Sequence, residues 1–317
     1  MFALRLQEHV QEHAGEHAAE AAGKFDAGRT IVDHVSNSGL DHPLIHLPTI
    51  AGIDFSVTKH VFMLWLVAAL VFVTVTLTIR AYLRQDRLIP SGLMNAIEAL
   101  VEFIRDSIAL PNVGRKWVNT YTPLLLTFFV FILAANALGL VPVFDALGLL
   151  NHYVLHADEH SFLARVVHGG TTATANYNVT AALSSIVFFA IIVAGSRAHG
   201  FVQHWINLVP HGLAWPLYIL LIPIEVMGMI VKPFALTMRL AANMTGGHIA
   251  ILAILSFVFI FTEMFSQAIA GIGVGLAVSV PLAVGISALE IIVVLVQAYV
   301  FTLLTAVFIG MAIHVHH

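Results

Sequence analysis

KHVFMLWLVAALVFVTVTLTIR, residues 59–80, carries a lysine at one end, an arginine at the other, and no acid, lysine or arginine between them. A helix needs about 20 predominantly apolar residues to cross the hydrocarbon of a bilayer, and this stretch supplies them. Similar intervals run from Lys116 to Asp145, from Arg165 to Arg197 and from His199 to Glu225. Beyond His199, Glu225, Lys232, Arg239, Glu263 and Glu290 are the only residues of those four types. Of the 317 residues, 59% are hydrophobic and 10% charged, whereas soluble domains carry about 25% charged residues. The solvent of this chain is therefore lipid. Backbone groups in lipid must be satisfied within the segment, by helices or by a closed barrel. Barrel strands alternate over segments of about ten residues, and these runs are continuous.

The expected fold is an all-α polytopic membrane protein with five crossing helices, at roughly 58–82, 120–142, 175–197, 213–262 and 270–313. The last two are too long to cross upright and must tilt, bend or lie partly along the membrane. Between the first two, a segment from Pro90 to Ala109 places Glu98, Glu102, Arg105 and Asp106 on one side. Leu93, Ile97, Leu100, Val101 and Ile104 fall on the other. That pattern predicts an amphipathic surface helix with Pro90 as its first helical residue. Arg80, Arg84, Arg87, Arg105, Arg115, Lys116 and Arg197 then fall on one side of the membrane. They predict an outside N-terminus and a cytoplasmic C-terminus.

Two domains are expected, an extramembrane tail over 1–57 and a membrane domain over 58–317. The tail is acidic (Glu8, Glu12, Glu16, Glu20, Asp26, Asp33, Asp41, Asp54) and stacks His9, His13 and His17 at four-residue intervals. A divalent ion fits such a stripe; so does a plain solvated helix, and no metal site is assigned. The tail lacks the short apolar core of a cleavable signal. With 14 basic and 18 acidic residues and a net charge of −4, no overall positive field favours nucleic acid. The absence of cysteine excludes thiol chemistry and disulfides.

The polar residues inside the spans carry the chemistry. Glu225, Lys232 and Arg239 recur at intervals of seven, and Asn243 extends their stripe by a turn. A cation near the midplane costs about 3 kcal/mol on insertion scales. Arg239 has no acid within a turn, and Ala235, Thr237, Ala241, Ala242, Thr245, Gly246 and Gly247 surround it. Such small residues let another helix approach closely. Two arrangements satisfy this charge: an internal pair with Glu290 on the next span, or an anion on another protein. Glu290 and Gln297 share a face of that span. Histidine and glutamate side chains are both titratable, which suits His248 and Glu290 to a proton relay should the two helices form a hairpin; a hydrogen-bonded packing role fits His248 as well. The glycine-rich Gly271–Gly275 stretch reads as its turn.

KPFALTMRLAANMTGGH (232–248) resembles the signature segment of subunit a of F-type ATP synthases. YTPLLLTFFVFILAANALGLVP (121–142), TANYNVT (174–180) and EIIVVLVQAYVF (290–301) are similar to further segments of that family, in the same order. The resemblance spans about residues 80–317. It implies a membrane stator beside a rotating ring of hairpin c subunits, each with an ion-binding carboxylate. Peripheral-stalk b subunits and the lipid bilayer are the other implied partners, in the inner membrane of a bacterium. Arg239 would be the essential arginine, and Asn136, Asn243, His248, Glu290 and Gln297 would line the ion path. Some relatives carry glutamate where His248 stands and histidine where Glu290 stands, so this chain has the two exchanged. No cofactor is implied, and the chain, which lacks a Walker-type loop, would not itself be catalytic. A secondary transporter is the alternative class, but no internal repeat of the kind common there is found. A metalloprotease would require a HExxH pair on a span, and a haem protein would require facing histidines inside spans; neither pattern is present.

Overall fold

The structure is a computed structural model and describes Gly28 and residues 56–84, 89–140, 173–207, 215–264 and 268–314. His9, His13 and His17 of the tail, and Arg87, Asp145, Asp158, Glu159 and Arg165, lie outside the described residues. Helix α1 spans Lys59–Leu83. Helix α2 (Leu93–Glu102) continues through a π-helical stretch, Phe103–Ala109, into a closing α turn, Leu110–Val113. Helix α3 is Val118–Leu140, followed by a 3₁₀ turn at Ala173–Ala175 and by α4, Tyr177–His199. The short α5 covers Phe201–Ile206, and two long helices follow, α6 (Trp215–Met264) and α7 (Ala268–Ile313). Five of these, α1, α3, α4, α6 and α7, are long and apolar enough to cross a membrane. The all-α polytopic architecture is as expected, with span ends within a few residues of those read from charge.

The surface helix differs at both ends. It begins at Leu93, not Pro90, because Gly92 precedes it with φ 63°, a left-handed conformation that glycine adopts without strain. It also extends past Ala109 to Val113, with Ile104 and Ile108 wholly buried and Leu93 67% exposed. The apolar face therefore engages the protein mainly through its C-terminal half. Glu98, Glu102, Arg105 and Asp106 are all exposed, as amphipathicity requires.

The chain divides into two compact units. The larger comprises Asn37–Gly247 and Ser287–His317. In its core, Ile104 and Ile108 join Leu125 and Ile132 of α3, Val187 of α4, Leu240 of α6 and Phe301 of α7. The smaller comprises Met1–Ser36 and His248–Ile286, of which Gly28, 248–264 and 268–286 are described. There Gly271–Gly275 is helical and belongs to α7, so it is not the turn its composition suggests. A Cβ on Gly275 would lie 2.7 Å from Val258 Cα. The glycine serves close helix approach rather than chain reversal.

At one end of the larger unit, side chains hold the termini of α4, α7 and the surface helix together. His199 Nε2 lies 2.9 Å from the Ile313 carbonyl and His314 Nε2 lies 3.3 Å from that of Val113. Gly200, with φ 93°, turns the chain from α4 into α5. The His204 ring then folds back against Gly195, where no Cβ would fit. Burial, and secondarily the nearby His199, hold the His204 imidazolium pKa below its ordinary value. A histidine whose folded pKa is depressed binds its proton more readily in the unfolded chain. Stability should therefore be full above the usual histidine pKa of about 6.5 and decline as pH falls below it. We expect the purified chain to lose thermal stability between neutral pH and pH of about 5, and His204→Asn to flatten that slope. A thermal-unfolding series in detergent checks both.

Candidate functional site

Helix α6 organises the site because its sides face different surroundings. Leu236, Leu240, Ala241 and Met244 are essentially inaccessible, whereas Ala235, Met238, Arg239, Ala242 and Gly246 are exposed. At about 100° per residue, the exposed set forms one continuous stripe. Arg239 lies within it, and among the described residues no hydrogen bond or ion pair engages its guanidinium. Of the two arrangements the sequence leaves open, the internal pair with Glu290 is absent. Lys232, seven residues earlier, is instead turned towards α7, with Nζ 5.7 Å above the Phe308 ring.

The side of α6 facing α7 brings several expected residues together. Asn243 Nδ2 donates to Gln297 Oε1 at 3.0 Å, joining residues 54 apart in the chain. One turn further along α6, Gly247 receives the Glu290 carboxyl, and Glu290 is 3% exposed. A Cβ on Gly247 would stand 2.5 Å from Glu290 Oε1. The glycine is thus the space in which a buried carboxyl fits against a helix backbone.

Asn136 of α3 is fully buried, and its Oδ1 accepts a hydrogen bond from Thr174 Oγ1 of the 3₁₀ turn. Its Nδ2 has no partner among the described residues. Beside it, Thr245 Oγ1 donates to the Ala175 carbonyl at 3.2 Å, and Ala175, Met244 and Val294 pack into an apolar cluster with Leu133 and Leu140. Asn136, Asn243, Glu290 and Gln297 are thus placed within the larger unit, while His248 begins the smaller one and is half-buried. The sequence does not single out Thr174, Thr245 and Gly247 as partners of these groups. Their bonds and contacts join distant segments, and a membrane helix normally contains threonine and glycine.

Five apolar helices, a buried carboxyl, bonded amides and an outward cation define a membrane protein that handles charge inside the bilayer. A family model described as ATP synthase A chain matches residues 61–310, and the chain belongs to that family. It is 41% identical over 294 residues to ATP synthase subunit a 2 of Chlorobium luteolum, covering 90% of this chain and 76% of that one. It is 39% identical over 297 residues to ATP synthase subunit a 2 of Prosthecochloris aestuarii, covering 92% and 81%. To ATP synthase subunit a of Anaeromyxobacter dehalogenans it is 40% identical over 268 residues, covering 84% and 60%.

Gly247→Ala should force the Glu290 carboxyl or α6 to shift, an overpacking cost of about 1–3 kcal/mol. A lowered unfolding temperature of the detergent-purified chain, recovered when Glu290 is shortened to Asp, would bear this out.

Proposed function

We propose that the chain is the proton-conducting stator subunit of a rotary ATP synthase in a bacterial plasma membrane. In this reading it stands beside a ring of hairpin c subunits, held by peripheral-stalk b subunits, with its N-terminus outside and its C-terminus in the cytoplasm. The observation that carries the reading is the outward guanidinium of Arg239. It lies among small exposed neighbours and lacks a counter-ion among the described residues of its own chain. A cation held in hydrocarbon needs an anion, and a ring carboxylate passing along this smooth stripe supplies one.

The mechanism follows from charge. Two half-channels, offset sideways, each open to one side of the membrane. A proton from outside passes Asn136, His248, Glu290 and Gln297, with Asn243 holding the Gln297 amide, and neutralises a ring carboxylate so that the carboxyl can enter lipid. After almost a full turn the carboxyl meets the inner half-channel and releases its proton. Arg239 attracts the resulting carboxylate. A guanidinium is a permanent cation in proteins, and one at this point blocks direct leakage between the half-channels. Each charge moved gains about 2.3 kcal/mol per 100 mV, and the sideways offset turns that gain into rotation. The chain needs no nucleotide chemistry of its own for this work, and family membership supports its place in the complex.

Arg239→Ala should abolish ATP synthesis driven by an imposed gradient in vesicles, with the chain still inserted; synthesis at the normal rate would contradict the role. Glu290→Gln and His248→Ala should each severely slow passive proton conduction through the membrane sector. Conduction unchanged in both variants would place the outer path elsewhere.

A further inference from the structure

Thr237 stands two residues before Arg239, about 200° around α6 and so on nearly the opposite side. It is 8% exposed, and its Oγ1 lies 2.5 Å from the Oγ of Ser184 in α4, which is 3% exposed. Several hydroxyls of the spans bond only to their own helix, as Thr122 does to Val118 (2.6 Å), Ser256 to Leu252 (2.8 Å) and Thr305 to Phe301 (2.8 Å). Ser184 and Thr237 instead meet hydroxyl to hydroxyl across two helices. Thr237 Oγ1 also lies 3.1 Å from the Pro233 carbonyl, and Ser184 Oγ 3.0 Å from that of Ala181. Each hydroxyl has one proton. One of them therefore donates across the interface while the other donates to its own helix, so two of the three contacts carry a proton at any moment.

The position of this bond gives it a purpose. Pro233 has no N–H for the Met229 carbonyl, so α6 lacks one rung of its ladder shortly before Arg239. A helix interrupted there depends on its neighbours for its rotation. The apolar core that Leu236 and Leu240 share with Val187 sets that angle loosely, because lipid offers apolar side chains an equivalent surface. A bond between two buried hydroxyls is directional and has no counterpart in lipid.

We propose that Ser184 and Thr237 are positioning residues for Arg239: their hydroxyl pair fixes the rotation of α6 so that the guanidinium faces outward. The inference rests on reading Arg239 as the ring-facing cation, but its structural half is tested separately. The chain contains no cysteine, so single cysteines at buried Ala241 and exposed Ala242 report which way α6 faces. In the purified full chain, the ratio of their reaction rates with a membrane-permeant maleimide should fall several-fold in Thr237→Val and in Ser184→Ala. Thr237→Ser should preserve it, and the double variant should be no worse than either single one, as expected of a directly bonded pair. In the assembled complex the same variants should lower proton pumping relative to ATP hydrolysis, with Thr237→Ser restoring the coupling. An unchanged thiol ratio in both single variants, or additive losses in the double, would overturn the pin. If Thr237→Val fails to accumulate, Ser184→Ala makes the same comparison. If the ratio changes as expected yet Arg239→Ala keeps normal coupling, the role of Arg239 fails and the rotational pin stands.

Discussion

Hydrocarbon offers no hydrogen bonds, and this constraint governs nearly every feature of the structure. Backbone groups retreat into helices, and many side-chain hydroxyls donate to carbonyls one turn back along their own spans. Three interhelical polar contacts lie where α3, α6, α7 and the 3₁₀ turn meet: Asn136 with Thr174, Asn243 with Gln297, Thr245 with the Ala175 carbonyl. Interhelical bonds of this kind contribute on average about 0.6 kcal/mol each in membranes, too little to explain the fold. They specify how the helices are turned, and apolar contacts such as those around Leu240 and Phe301 fill the space between.

Helix α6 divides this labour by direction. One edge presents Arg239, the edge beside it meets α7 through Lys232, Asn243 and Gly247, and the nearly opposite side meets α4 through Thr237. Rotating the helix by one residue, about 100°, would move the guanidinium out of the exposed stripe and break both sets of contacts. The same rod is thus both scaffold and display.

Much of this was legible in the sequence, for reasons that can be named. Charge-free runs locate the spans because lipid penalises charge so strongly, and the ends of α3 and α4 fall within two residues of expectation. The outward setting of Arg239 is foreshadowed by its small neighbours. Other features depend on tertiary contacts that no local pattern encodes. Gly271–Gly275 looks like a turn, yet Gly275 is used for close packing against Val258. Pro90 looks like a helix start, yet Gly92 makes the entrance. Thr174 and Thr245 matter through partners 38 and 70 residues away. Ser184 resembles any other hydroxyl until α4 and α6 are brought together.

The π-helical stretch at Phe103–Ala109 has a geometrical consequence of its own. A wider turn accommodates an additional residue, which shifts the angular phase of everything beyond it. The first half of the surface helix borders α1, while the stretch itself borders α3. Ile104 and Ile108 are buried within it and Val113 beyond it. One amphipathic segment thereby lines two walls that a uniform α-helix would meet at a single angle, and an apparent irregularity serves as a mitre joint between them.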